Sequence, residues 1–188
     1  MSRIVAGTLG GRRIAAPPGE GTRPTSDRVR EALFSSLEAS AGLDGARFAD
    51  LFAGSGAVGL EALSRGARHV LLVESDPRAA RTIRHNIATL GAGPAARLVT
   101  ARVGQVLATG PPDGEPYDLV FADPPYAVPG EEVTAMLAAL VDGGWLAEEA
   151  VVVVERATRG GPLTWVEGVT AERGRRYGET TLWYGRRS

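Results

Sequence analysis

The sequence contains no cysteine, no lysine and only two histidines, His69 and His85. Without cysteine the chain has no disulfides, no thiolate metal site and no cysteine nucleophile. Two histidines are too few for a histidine-rich metal site, and we expect no metal. No apolar run approaches the roughly 20 residues that a membrane span requires, and the first residues lack the hydrophobic core of a signal peptide. We therefore expect a soluble, cytoplasmic protein without membrane contact.

The charges are distributed unevenly along the 188 residues. Residues 1–30 hold six arginines and two acids, and residues 156–188 hold seven arginines and three acids, so each end has a net charge of +4. Residues 31–155 hold eight arginines and seventeen acids, which gives a net charge of −9. Arginine is well suited to bidentate phosphate contacts. Basic ends around an acidic middle segment therefore indicate a nucleic-acid footprint beside an active site.

Residues 47–59 predict an apolar strand, a glycine-rich turn and the start of a helix. Gly54 and Gly56 allow a sharp turn and close ligand approach, and a helix beginning near Ala57 points free N–H groups at the ligand. The glycine spacing also fits a dinucleotide-binding turn. Asp50 would repel a pyrophosphate, but it suits a cation such as the sulfonium of S-adenosylmethionine. A turn-capping role for Asp50 is the structural alternative, and it stays open at this point.

Two basic elements precede this turn. Residues 3–16 predict a short β-hairpin that turns at the glycine pair 10–11, and it must pack on the main domain or a partner because two strands alone are marginally stable. A helix follows, capped by Ser26 or Asp27. Its buried stripe is predicted to be Val29, Leu33, Phe34 and Leu37. The arginines predicted to project from its other face or from the preceding loop are Arg23, Arg28 and Arg30.

From residue 47 onward, strands and helices alternate. The predicted strands are 47–52, 69–74, 96–101, 117–122 and 149–155, and the predicted helices are 57–65, 77–90, 103–109 and 130–141. Residues 163–171 and 176–185 then predict an antiparallel hairpin with its turn at 172–175. This pattern indicates an α/β, doubly wound, seven-stranded sheet, the architecture of class I methyltransferases. A full dinucleotide fold would continue with parallel strands.

Glu74 ends the second of these strands, 18 residues after Gly56. An acid there can accept hydrogen bonds from both ribose hydroxyls of a bound nucleoside, in dehydrogenases and methyltransferases alike. Asp76 is predicted to cap the following helix.

The tetrapeptide Asp123-Pro124-Pro125-Tyr126 follows the strand at 117–122 directly. Two prolines fix the backbone as a rigid corner, which holds the Asp123 carboxylate and the Pro124 carbonyl as acceptors. Such acceptors suit the exocyclic amine of a nucleobase, and Tyr126 can stack on a base extruded from pairing. A structural Pro-Pro turn is the alternative, but the preceding acid-and-glycine turn favours methyl transfer.

The sequence resembles the bacterial 16S rRNA guanine-N2 methyltransferases of the RsmD type over nearly its whole length. The matching segments are residues 3–13, 22–34, 50–56, 59–67, 74–76, 123–126 and 177–180. The resemblance implies a Rossmann-like methyltransferase domain at residues 22–188, preceded by an RNA-binding β-hairpin extension at residues 1–21.

The resemblance also implies methyl transfer from S-adenosylmethionine to N2 of one guanine of 16S rRNA, within a partly assembled small subunit. The implied catalytic residues are Asp123, Pro124, Pro125 and Tyr126. The implied cofactor contacts are Asp50, Phe52, Gly54, Ser55, Gly56, Glu74 and Ser75. The implied RNA contacts are Arg3, Arg12, Arg13, Arg23, Thr25, Arg28 and Tyr177. We expect a monomer.

The third strand departs from the family pattern. Many relatives carry an acid or amide at its end, where adenine is held, but this chain has Ala101 and Arg102, so the adenine contact is unassigned. Three other functions remain open. They are adenine-N6 methylation of DNA or RNA, a nicotinamide-dependent oxidoreductase, and a non-enzymatic RNA-binding or assembly protein with a degenerate methyltransferase fold.

Overall fold

The computed structural model describes residues 2–17 and 27–188. The chain divides into two compact units, Met1–Arg102 and Val103–Ser188. Arg23 and Thr25, two of the predicted RNA contacts, lie outside the described residues. The predicted boundary between residues 21 and 22 also lies there and stays a prediction.

Within residues 2–17 and 27–102, the first unit contains a short hairpin, three helices and three parallel strands. Its elements are β1 Ser2–Arg3, β2 Arg13–Ile14, α1 Asp27–Ser40, β3 Arg47–Leu51, α2 Ala57–Ser64, β4 His69–Glu74, α3 Pro77–Leu90 and β5 Ala96–Thr100. Strand β4 lies between β3 and β5 and pairs with both in parallel. Its central residues Val70–Val73 are fully buried, as expected for a parallel strand covered on both faces. The strands and helices predicted between residues 47 and 102 are confirmed to within a residue at each end.

The N-terminal hairpin packs on the rest of its unit. Its strands β1 and β2 are antiparallel, and its turn includes the predicted glycine pair. Ile4 and Ile14 are buried in a cluster with Leu60 and Leu90, which belong to α2 and α3. The expectation that so small a hairpin needs an external apolar surface is confirmed.

Helix α1 buries the predicted stripe of Val29, Leu33, Phe34 and Leu37. The prediction that Arg30 projects outward is wrong, because its side chain is only 1% exposed. Its guanidinium pairs with the buried Glu61 and the exposed Asp27 and donates to the Arg3 carbonyl, so the buried charge is paired. Leu33 and Phe34 follow Arg30 by three and four residues, so Arg30 lies on the same face of α1 as the apolar stripe.

The second unit contains four strands, two α-helices and a short 3-10 helix. Its elements are α4 Val103–Thr109, β6 Tyr117–Ala122, α5 Gly130–Asp142, β7 Leu146–Ala157, the 3-10 helix Thr158–Gly160, β8 Val169–Tyr177 and β9 Thr180–Arg187. Strands β6 and β7 pair in parallel, whereas β9 pairs antiparallel with both β7 and β8. The antiparallel C-terminal hairpin is the feature that a full dinucleotide fold would lack.

The turn of this hairpin lies later than predicted. Residues 172–175 belong to β8, and the chain reverses at Gly178 and Glu179, between the paired residues Tyr177 and Thr180. A two-residue turn needs positive φ, which Gly178 supplies at 63°. The polar run at 172–175 is instead the surface of an edge strand, where charged side chains are ordinary.

The strand order is β5-β4-β3 within the first unit and β6-β7-β9-β8 within the second unit. The predicted fold class, a doubly wound sheet with a C-terminal antiparallel hairpin and a small N-terminal hairpin, is confirmed. Among the described residues, no helix has the length and hydropathy to cross a membrane.

Candidate functional site

The glycine turn follows β3 and has an unusual backbone. Phe52 adopts a positive φ of 64° and Gly54 one of 60°. A positive φ at an aromatic residue is strained by about 1–3 kcal/mol, and such strain clusters at ligand-binding sites. No atom lies within 4 Å of the position that a Cβ of Gly54 would occupy. The turn therefore presents open, side-chain-free backbone, as the approach of a ligand requires.

Glu74 fixes this turn from the end of the neighbouring strand. Its Oε1 accepts a hydrogen bond of 2.8 Å from the Gly54 N–H, and its Oε2 accepts one of 2.9 Å from the Asp76 N–H. Glu74 is half-buried and Ser75 is exposed. Asp76 caps α3 as predicted, since its Oδ1 accepts from the Arg78 N–H at 3.0 Å. The half-buried carboxylate beside open backbone fits the ribose of a nucleoside cofactor.

Asp50 has a structural role that the sequence left open as an alternative. Its side chain is 1% exposed, and its Oδ2 accepts a hydrogen bond of 2.9 Å from the Gly59 N–H in the first turn of α2. A Cβ at Gly59 would lie 2.5 Å from Leu72 Cδ2 and 3.3 Å from Asp50 Oδ2, so only glycine lets α2 approach the sheet this closely. Asp50 therefore ties β3 to α2, and its contact with the cofactor stays a prediction.

Ser55 and Gly56 complete the turn at the start of α2. Gly56 occupies the N-cap position, and the Ser55 Oγ accepts a hydrogen bond of 3.3 Å from the Ala57 N–H. Asn86 of α3, fully buried, donates to the Ser55 carbonyl at 2.9 Å. The same amide group also bonds both main-chain polar groups of Ala15, at 2.8 and 2.9 Å. Asn86 thus links the glycine turn to the chain that leaves the N-terminal hairpin, and no sequence motif pointed to it.

The Asp-Pro-Pro-Tyr corner follows β6 directly, as predicted. Asp123 is half-buried, Pro124 is buried and Pro125 is exposed. The carbonyl of Pro125 accepts a hydrogen bond of 2.9 Å from the Val128 N–H, which closes a turn over residues 125–128. The Tyr126 hydroxyl lies 2.9 Å from Thr180 Oγ1 at the start of β9, so the ring is held at its outer end.

Arg156, near the end of β7, braces this turn. Its Nη1 donates to the Pro125 carbonyl at 3.2 Å and its Nη2 to the Val128 carbonyl at 2.6 Å. The turn, the start of α5, residues 156–157 and residues 159–164 line a cavity of about 650 Å³. Sequence reasoning missed both Arg156 and Thr180, because each lies far along the chain from the corner it supports.

The predicted RNA contacts fall in two places. Arg3, Arg12 and Arg13 of the hairpin and Arg28 of α1 are exposed in the first unit. The Nη2 of Arg12 donates to the Thr89 carbonyl at 2.7 Å, near the end of α3. Tyr177, half-buried, ends β8 in the second unit.

A buried ionic network centred on Glu61 of α2 holds the hairpin in place. Glu61 is fully buried and accepts hydrogen bonds from the Val5 and Ala6 N–H groups, at 2.8 and 3.0 Å. It also pairs with Arg65 Nε at 2.8 Å and with Arg30 Nε at 3.4 Å. Arg30 in turn donates to the Arg3 carbonyl. Glu61 is therefore one of the groups that fix the position of the hairpin arginines.

No group of three or more histidine, cysteine, aspartate or glutamate side chains that could hold a metal ion occurs within residues 2–17 and 27–188.

Comparisons with known proteins agree on one family. The family model described as conserved hypothetical protein 95 matches residues 2–186. The ribosomal RNA small subunit methyltransferase D of Escherichia coli K12 is 44% identical over 167 residues, which span 87% of this chain and 80% of that protein.

Solved structures show the same fold. The yhhF protein of Escherichia coli superposes with a TM-score of 0.86 at 36% identity, over 99% of this chain and 97% of that one. An RNA methyltransferase from Salinibacter ruber, solved with S-adenosyl-L-homocysteine, shares the fold at a TM-score of 0.64 and 17% identity, over 87% of this chain and 93% of that one. The chain therefore belongs to the conserved hypothetical protein 95 family, together with the ribosomal RNA small subunit methyltransferases D.

Proposed function

We propose that this chain is an S-adenosylmethionine-dependent methyltransferase that modifies N2 of a guanine in 16S rRNA. The observation that carries the proposal is the Asp-Pro-Pro-Tyr corner, which follows β6 directly and is braced by Arg156 and Thr180. The chain has both this corner and the glycine turn, and it is 44% identical to an rRNA small subunit methyltransferase. This combination favours a catalytic role for the corner over a purely structural one.

The glycine turn and Glu74 are the proposed cofactor contacts, with Asp50, Phe52, Ser55, Gly56 and Ser75 around them. When bound, S-adenosylmethionine supplies a methyl group activated by its sulfonium. Glu74 would accept hydrogen bonds from the ribose hydroxyls, and its half-buried carboxylate already has a fixed orientation because it accepts from two main-chain N–H groups. The open backbone at Gly54 leaves room for the amino-acid portion of the cofactor.

The corner is the proposed site for the guanine amine. Asp123 and the Pro124 carbonyl would accept hydrogen bonds from the two N–H groups of N2, which orients a poor nucleophile and favours tetrahedral nitrogen. Pro124 and Pro125 keep these acceptors rigid, and Tyr126 would stack on the extruded base. Because the Tyr126 hydroxyl is already held by Thr180, the ring needs little reordering when the base arrives.

The substrate contacts are the proposed task of the arginines of the hairpin extension, residues 1–21, and of α1. Arg3, Arg12, Arg13 and Arg28 are exposed, and Arg23, Thr25 and Tyr177 complete the proposed set. Arginine-rich surfaces bind RNA phosphates without a need for base contacts. We propose a monomer that acts on 16S rRNA in a partly assembled small subunit, in the cytoplasm and without a metal.

The test is transfer of labelled methyl from S-adenosylmethionine to naked 16S rRNA and, in parallel, to small-subunit particles from cells that lack the endogenous enzyme. We expect label in 16S rRNA, with greater incorporation into particles. Absence of label from both substrates, under conditions where the protein binds S-adenosylhomocysteine, would exclude the proposed activity.

A further inference from the structure

A basic segment lies inside the acidic middle of the chain. Residues 77–102 contain five arginines and one histidine and no aspartate or glutamate. The net charge of −9 for residues 31–155 conceals this segment, because all seventeen acids lie outside it. Three of its arginines and its histidine belong to α3, which is therefore the most basic helix of the first unit.

One face of α3 presents part of this charge beside a groove. Arg78, Arg81 and His85 are exposed, and their spacing of three and four residues places them on the same side of the helix. With Thr82 and Ala15 they line a groove of about 480 Å³. Three of its five lining residues carry a cationic or titratable basic group. The groove is open to solvent, so an extended polyanion can lie along it. A small ligand usually binds in a more enclosed site.

The groove adjoins the N-terminal hairpin. Ala15, which forms one wall, is held by both polar groups of the Asn86 side chain on α3. Farther along the same helix, Arg12 donates to the Thr89 carbonyl. Two separate contacts thus attach the hairpin and the chain leaving it to α3. The exposed arginines of the hairpin and those of α3 therefore lie on segments that are in direct contact within the first unit.

We propose that the α3 groove binds backbone phosphates of the substrate RNA, as a second contact surface beside the hairpin arginines. Guanidinium groups pair with phosphate oxygens in bidentate fashion, and successive helical turns space Arg78 and Arg81 for a continuous backbone. The proposal rests on the proposed function, since it takes the polyanion to be the RNA that is methylated.

Two other arginines of the segment provide a matched control. Arg84 lies on α3 but donates to Thr100 Oγ1 of β5, outside the groove lining, and Arg97 is exposed on β5. The double substitutions R78Q/R81Q and R84Q/R97Q remove the same number of charges from the same unit. Both therefore weaken long-range attraction alike, but only R78Q/R81Q removes guanidinium groups that line the groove. Glutamine keeps the aliphatic stem and the helix propensity of the replaced residue.

The experiment measures binding of a 16S rRNA fragment to each variant at several salt concentrations, with thermal unfolding and S-adenosylhomocysteine affinity as folding controls. For R78Q/R81Q we expect weaker RNA binding and a salt slope smaller by about 1.4, from roughly 0.7 per lost phosphate contact on single-stranded RNA. R84Q/R97Q should keep the wild-type slope.

Equal slopes for the two double variants would overturn the groove as a binding site, whichever value they share. Wild-type methyl transfer is scored separately, on naked 16S rRNA and on small-subunit particles. If transfer is absent while R78Q/R81Q still shows the smaller slope, the proposed function fails and the RNA-binding groove stands. If transfer occurs while the slope is unchanged, the groove proposal fails alone.

Discussion

The main-chain N–H of Gly54 donates a hydrogen bond of 2.8 Å to Oε1 of Glu74. This bond joins the turn after β3 to the end of β4, so the two proposed cofactor contacts hold each other in place. The Glu74 carboxylate is therefore oriented before any ligand binds.

Replacement of Glu74 by alanine removes this bond and the proposed ribose acceptor together. A hydrogen bond to a charged group contributes about 1.5–3 kcal/mol, so we expect S-adenosylhomocysteine to bind Glu74→Ala roughly tenfold or more weakly. Glu74→Gln keeps one acceptor oxygen, so its affinity for S-adenosylhomocysteine should fall less than that of Glu74→Ala. Isothermal titration calorimetry measures both affinities. Wild-type affinity in Glu74→Ala would remove Glu74 from the site.

Replacement of Asp123 tests the amine site. We expect Asp123→Ala to lower kcat by about 10²- to 10³-fold, because it removes an acceptor for the guanine amine, while the cofactor affinity stays unchanged. Asp123→Asn keeps one acceptor oxygen without the charge and should retain part of the activity. Single-turnover kinetics with saturating rRNA give the rates. Near wild-type turnover in Asp123→Ala would contradict the assignment.

Arg156 should act on catalysis through the turn that it braces. Arg156→Ala removes the side-chain donors to the carbonyls of Pro125 and Val128 and leaves the Pro125 carbonyl only its bond from the Val128 N–H, so we expect a lower kcat with little change in cofactor affinity. Arg159 lines the same cavity, and Arg159→Ala removes the same charge. If Arg156 acted only by attracting RNA through its charge, both substitutions would raise KM and leave kcat unchanged. If both variants change KM alone, the bracing role of Arg156 is wrong.

The Glu61 network should dominate the stability of the first unit. Glu61→Ala leaves the buried Arg30 and Arg65 without their one buried carboxylate, which costs about 3–5 kcal/mol in the free energy of unfolding. Glu38 pairs with the same Arg65 at 3.5 Å but is 48% exposed, so Glu38→Ala should cost less than about 1 kcal/mol. Urea denaturation measures both. Similar losses in the two variants would contradict the network.

Gly59 tests the close packing of α2 on the sheet. A methyl group there would lie 2.5 Å from Leu72 Cδ2, so we expect Gly59→Ala to destabilise the protein by about 1–3 kcal/mol. Gly104 of α4 has no atom within 4 Å of its Cβ position, and Gly104→Ala should stabilise by about 0.5–1 kcal/mol. Thermal unfolding compares the two. A neutral Gly59→Ala would mean that α2 can shift without penalty.

The alternating part of the fold follows from local patterns. Buried parallel strands are apolar throughout, and Asp76, with Pro77 at the first helical position, marks the start of α3, so the bounds of β4 and α3 are predicted correctly. The last hairpin is different, because residues 172–175 are polar enough for a turn yet belong to an edge strand. Only the pairing with β9 places the reversal at Gly178.

Interactions between distant residues explain the rest of what the sequence did not reveal. The local sequence predicts a solvent-exposed Arg30, because its partners Glu61 and the Arg3 carbonyl lie far from it along the chain. Arg156 and Thr180 support the Asp-Pro-Pro-Tyr turn from strands far along the chain. The basic segment at 77–102 could have been found by counting charge in shorter windows.

The most direct test of the proposed activity is the identity of the methylated nucleoside. Small-subunit particles are incubated with the protein and S-adenosylmethionine, and the 16S rRNA is digested to nucleosides and analysed by mass spectrometry. We expect N2-methylguanosine, present with the wild-type protein and lost with Asp123→Ala. N6-methyladenosine in its place, or N2-methylguanosine formed equally by the Asp123→Ala variant, would contradict the proposal.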